Sequence, residues 1–91
     1  MNKITASHIL VENEHQANDL LKKIEEGKSF ESLAKEFSTC PSGRAGGSLG
    51  SFGKGQMVQP FETAAFALKV GEISKPVRTQ FGFHLIRRDP D

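Results

Sequence analysis

Three stretches of this chain repeat apolar residues at helical spacing, and the segments around them read as short strands. Residues 4–11 are rich in Ile, Thr, Leu and Val and alternate weakly, which predicts a strand. Its faces divide into Ala6, His8, Leu10 and Ser7, Ile9, Val11. Ala17, Leu20, Leu21 and Ile24 then fall at i, i+3, i+4 and i+7, a single helical stripe. Asn13 is placed to cap it with Gln16 as capping-box partner, and Gly27 to stop it. Ser29 opens a second helix whose stripe is Phe30, Leu33, Ala34 and Phe37. Residues 38–55 are glycine-rich with few apolar side chains, which predicts a long loop holding a short strand around 49–52. Loops this long in compact domains are usually functional. Pro60 suits the first turn of a third helix, with Phe61, Ala64, Ala65 and Leu68 as its stripe and Gly71 just past its end. Residues 75–79 and 82–88 read as two strands joined by Gln80-Phe81, and Pro90 ends the pattern.

The order β-α-α-loop-β-α-β-β predicts an α+β sandwich with a mostly antiparallel sheet. No repeat and no linker divides the 91 residues, so residues 1–91 form one domain with one modest core. This order also puts two histidines on the first and last strands, each inside an apolar run: Ser7-His8-Ile9-Leu10-Val11 and Phe81-Gly82-Phe83-His84-Leu85-Ile86. An unpaired polar group buried there costs a few kcal/mol, on the order of 1–3, so each needs a partner. The simplest partners are each other, if the two strands are neighbours. Between them lies Cys40, in Thr39-Cys40-Pro41-Ser42-Gly43, followed by Gln56-Met57-Val58-Gln59-Pro60-Phe61. A polar cluster beside an apolar one is the layout of a small catalytic or binding pocket.

Composition narrows the classes. A net charge of +1 gives no global pull toward nucleic acid or membrane. Seven Phe with no Trp or Tyr argue against a base-stacking platform, so no nucleic-acid partner is expected. One cysteine excludes an internal disulfide, and one Cys with three dispersed His makes no zinc site, so no metal or other cofactor is expected. Gly53-Lys54 has Ser48 and Gly55 where a phosphate-binding loop needs Gly and Ser or Thr. No apolar run approaches a membrane span, and Glu12 and Glu14 interrupt the only early one, so a reducing, cytoplasmic setting is the expectation. Lys22, Lys23, Lys28 and Lys35 are interleaved with Glu25, Glu26, Glu31 and Glu36, which reads as a mixed solvated face. Association of that lysine-bearing helical face with an anionic membrane surface is the lesser reading.

Taken together, His8-Ile9-Leu10-Val11, Cys40-Pro41-Ser42-Gly43, Gly46-Gly47-Ser48-Leu49-Gly50, Gln56-Met57, Pro60-Phe61 and Gln80-Phe81-Gly82-Phe83-His84 resemble the parvulin family of peptidyl-prolyl cis–trans isomerases in order and spacing. The likeness covers nearly the whole chain and is nearest to single-domain, stand-alone parvulins of prokaryotes. It implies a four-stranded antiparallel sheet wrapped by about four helices. It also implies a hydrogen-bonded His8–His84 pair supported by Thr79, with Cys40 beside the isomerising bond. By the same resemblance Leu49, Met57 and Phe61 form the proline pocket, and Phe81 lines the cleft. The phosphate-directed branch of the family carries a basic cluster after the first strand. Here that loop is Glu12-Asn13-Glu14-His15, short and acidic, so no requirement for phosphorylated substrates is expected.

The activity so implied is rotation of X–Pro bonds in flexible or unfolded polypeptides, by a monomer that assists folding. Its partners would be proline-containing peptides and unfolded proteins. Taken alone, a strand histidine is more often structural, a lone cysteine more often a small buried apolar residue, and Phe61 and Met57 more often core. The competing functions are a non-catalytic peptide-binding or holdase module and a cysteine hydrolase using Cys40. The second lacks an evident oxyanion hole and a third orienting residue.

Overall fold

The computed structural model describes residues 2–91. Among them, β1 (Lys3–Val11) leads into α1 (Glu14–Glu25) and α2 (Phe30–Phe37), then a 3-10 helix (Pro41–Ala45). β2 (Ser48–Gly53), α3 (Gln59–Ala67), β3 (Val77–Thr79) and β4 (Gly82–Asp89) complete the chain. The four strands form one sheet in the order β2-β1-β4-β3, antiparallel at every pairing. This is the expected α+β architecture. The fourth helix of the expected wrapping is the 3-10 turn, inside what reads from sequence as loop.

Local chemistry starts the helices where the sequence places them. The Asn13 side chain accepts from the Gln16 amide at 2.9 Å, and Gln16 Oε1 accepts from the Asn13 amide at 3.3 Å, closing a capping box. Gly27 follows α1 with a positive φ of 102°, and Ser29 caps α2 through the Ser32 amide at 3.0 Å.

The first and last strands are the two central ones. Both of their faces are covered, which is why β1 alternates only weakly in sequence. On one face Ile9, Val11 and Leu85 pack with Ala17 and Leu20 of α1 and with Phe30, Leu33 and Ala34 of α2. On the other, Ile4, Ala6 and Ile86 pack with Phe52 of β2 and with Phe61 and Ala65 of α3. The residues of β1 divide between these layers as its pleat predicts.

Two boundaries differ from the sequence reading. α3 ends at Ala67, before Leu68, and Gly71 acts further on, where its amide donates to the Arg88 carbonyl at 2.7 Å in a turn with φ of 87°. The strand expected at 75–79 shortens to Val77–Thr79, because Pro76 has no amide to donate. Ser74 docks on β4 instead: its amide donates to the Ile86 carbonyl at 2.8 Å, and its hydroxyl accepts from the Ile86 amide at 3.0 Å. Within the expected loop, Gly47 lies so close to β1 that a Cβ there would collide with the His8 carbonyl. That approach lets the Gly47 carbonyl accept the His8 amide at 2.9 Å, beside the irregularity in β1–β2 pairing between Thr5 and Ser7.

Candidate active site

Register brings the two histidines together. In the β1–β4 ladder His8 lies opposite Ile86 and His84 opposite Leu10, so the imidazoles are diagonal neighbours on the α3 face. Both are buried, and their Nδ1 atoms are 2.9 Å apart. The hydrogen-bond chain continues at each end. His8 Nε2 is 3.2 Å from Ser42 Oγ, which in turn lies 3.2 Å from Cys40 Sγ. His84 Nε2 is 2.7 Å from Thr79 Oγ1, which accepts the Phe81 amide at 3.1 Å.

The polarity of this chain is constrained. If Thr79 donates to His84, then His84 Nδ1–H donates to His8, His8 Nε2–H to Ser42, and the Ser42 hydroxyl to Cys40. Reversing every step also satisfies all partners. In either case one ring carries its proton on Nδ1 and the other on Nε2, so the pair is fixed as one tautomer of each kind.

Burial lowers the pKa of His8 to about 4, helped by the neighbouring His84, and burial likewise lowers His84 to about 4. The pair is therefore neutral at pH 7. Phe61, only 3% exposed, stands edge-on to both rings, with centroids 5.5 Å from His8 and 5.2 Å from His84.

Above this floor opens a cleft of about 510 Å³ lined by His8, Leu10, Thr39, Cys40, Pro41, Leu49, Gln56, Met57, Val58, Phe61, Phe81 and His84. Seven of the eight residues singled out from sequence line it. Leu49 comes from β2, Met57 from the turn before α3, Phe61 from α3 and Cys40 from the residue preceding the 3-10 helix. Phe81 is 60% exposed and forms the rim. Thr79 is the exception: it stands behind His84 and acts through it. Sequence reasoning missed Ser42 as the link between His8 and Cys40, and also the walls formed by Leu10, Thr39, Pro41, Gln56 and Val58. The signal for Ser42 was the spacing Cys40-Pro41-Ser42: a proline at the start of a tight turn brings residues two apart back together.

The antiparallel sheet, the paired-histidine floor and the apolar cleft above it agree with what the parvulin resemblance implies, the class of proline rotamases. The PPIC-type PPIase (rotamase) domain matches residues 6–90. The chain is 53% identical over 87 residues to the foldase protein PrsA of Bacillus subtilis, covering 94% of this chain and 30% of that protein. The crystal structure of PrsA from Bacillus subtilis superposes with a TM-score of 0.95 at 50% identity, over 98% of this chain and 35% of the other. The solution structure of NmPin, the parvulin of Nitrosopumilus maritimus, matches with a TM-score of 0.89 at 47% identity, over 99% of this chain and 98% of the other. This chain belongs to the PPIC-type peptidyl-prolyl cis–trans isomerase domain family, and it spans about a third of the curated relatives it matches.

Proposed function

We propose that this domain accelerates cis–trans rotation of X–Pro bonds in flexible, unphosphorylated polypeptides and so assists folding. The observation that carries the reading is the cleft itself, with Leu49, Met57 and Phe61 gathered over a neutral histidine pair. Rotation breaks no σ-bond; its barrier of about 18–20 kcal/mol comes from amide resonance. The twisted amide is less polar than the planar one, so a site that excludes water and places no charge beneath the bond favours it. The three apolar side chains hold the pyrrolidine ring while the preceding carbonyl swings past Cys40. A rigid aromatic and an adaptable thioether suit that grip.

No covalent step is required. When Ser42 donates to Cys40, the thiol proton is left to face the cleft, so Cys40 serves as a weak polar contact for the moving carbonyl. Action as a monomer is part of this reading. A cytoplasmic setting would keep the single free thiol reduced.

The test is two-dimensional exchange NMR on Ala-X-Pro-Phe peptides with X as Leu, Lys and phosphoserine. Faster exchange with Leu and Lys than the uncatalysed rate is expected. Binding without faster exchange would make this a holdase module, and exchange confined to phosphoserine would overturn independence from phosphate.

A further inference from the structure

A second groove, about 550 Å³, adjoins the proline cleft and is lined by Lys35, Ser38, Thr39, Cys40, Pro41, Gly43 and Arg44. Thr39, Cys40 and Pro41 belong to both. They form a ridge with an apolar lobe on one side and a polar, cationic lobe on the other. Lys35 lies in the last turn of α2 and Arg44 in the last turn of the 3-10 helix. Both are exposed, and among the described residues neither forms an ion pair.

The fold keeps the natural partner of Lys35 occupied. Glu31, one helical turn earlier, would ordinarily pair with it at i, i+4. Its carboxylate is bound by Arg87 at 3.2 Å, and Arg87 is itself fixed by Asp89 at 2.7 Å and stacked 4.7 Å from the centre of the Phe30 ring. Glu36 is adjacent to Lys35 in sequence and so does not share its side of the helix. Two cations therefore face one groove with no internal anion to neutralise them.

We propose that this groove is a subsite for a carboxylate on the peptide substrate, carried by an acidic side chain one or two residues before the proline. The inference rests on the reading of the apolar cleft as the proline site. With the pyrrolidine ring against Leu49, Met57 and Phe61 and its preceding carbonyl at Cys40, the chain that continues over the ridge is the segment N-terminal to proline. An exposed pair of cations gives a modest gain, read as a preference rather than a requirement.

The test separates binding from catalysis. Chemical-shift titration gives Kd for Ala-Ala-X-Pro-Phe peptides with X, or the residue before it, as Glu, Gln or phosphoserine, and exchange NMR on the X = Leu peptide gives catalysis. The better Glu peptide is expected to bind about fivefold more tightly than its Gln counterpart at low salt. Lys35→Gln/Arg44→Gln is expected to abolish that ratio, as is about 0.5 M salt, while binding and exchange of the Leu peptide stay unchanged. An unchanged Glu-to-Gln ratio in the double variant overturns the subsite. Phosphoserine binding more than about tenfold tighter than Glu reassigns the groove to phosphate, since charge alone gives less. Absent exchange on the Leu peptide fails the isomerase reading alone, because the Glu-to-Gln ratio is read from Kd.

Discussion

The two faces of this sheet are built from the same two central strands and have opposite fates. Under α1 and α2, Ile9, Val11 and Leu85 are sealed by a twelve-residue and an eight-residue helix and form an apolar layer that ends at the buried Ser7 and its partner Asp89. Under α3, the alternate residues Ala6, His8, His84 and Ile86 meet only nine helical residues. That helix covers Ala6 and Ile86 fully but roofs the histidines with little more than the Phe61 ring. The difference teaches how a small domain makes a site: it leaves one face short of cover at one end, and places there the polar residues that can satisfy each other.

That division can be broken from either side. The largest effect is expected on the sealed face, where Leu85→Ala removes a fully buried side chain between two helices and costs about 2–5 kcal/mol in urea unfolding. Catalysed exchange per folded molecule should stay near wild type. A fall in that quantity equal to the Phe61 variant's would mean the two faces are not separable.

On the open face, Met57→Ala takes a half-buried cleft wall rather than core, so its cost is expected in function. Exchange should slow by about tenfold or more with little change in unfolding midpoint. Phe61→Ala should lose activity as well, together with stability, since its ring is both floor and core.

The histidine pair sharpens the comparison through pH. Burial lowers both pKa values to about 4, against an ordinary 6.5. On acidification the unfolded chain takes up protons before the folded one, so this contribution to stability is complete above pH 6.5 and is lost as pH falls toward 4. The urea midpoint should drop across that window more steeply than in His8→Asn/His84→Asn. Parallel curves for the two proteins would show that the pair does not titrate as the burial requires.

The smallest effect is expected for Cys40→Ser, which keeps a hydroxyl next to Ser42. Exchange should fall by about two- to fivefold. Loss matching that of Met57→Ala would move Cys40 from the edge of the chemistry to its centre.

Features governed by neighbours in sequence were the most legible. The Asn13–Gln16 capping box and the Ser29 cap could be read directly, because each is a contact across three residues. The faces of β1 were also legible, since pleat and periodicity fix them. Position in the sheet was not: nothing local says that β1 and β4 are both central, so the weak alternation of 4–11 had no evident cause. The 3-10 helix was hidden for a similar reason. Its place depends on Gly43 fitting against the Ala34 carbonyl, where a Cβ would come within 2.7 Å. Ser42 followed it out of view, because its contact with His8 spans 34 residues. The shortened β3 was legible after the fact in Pro76. Of the site, the family resemblance supplied what spacing could not: which of several apolar residues face the cleft.

His8 and His84 are separated by 76 positions, and Ser7 is tied to Asp89 by a 2.6 Å hydrogen bond across 82. Order in time follows from this. As the polypeptide emerges during synthesis, its helices and the β1–β2 pairing can sample structure early, but the middle of the sheet waits for the final strand. Contacts this distant also make closure of the sheet a slow step. The floor of the cleft is thus the last part to exist, and a nascent chain of this domain has no isomerase to lend until its final strand has been made.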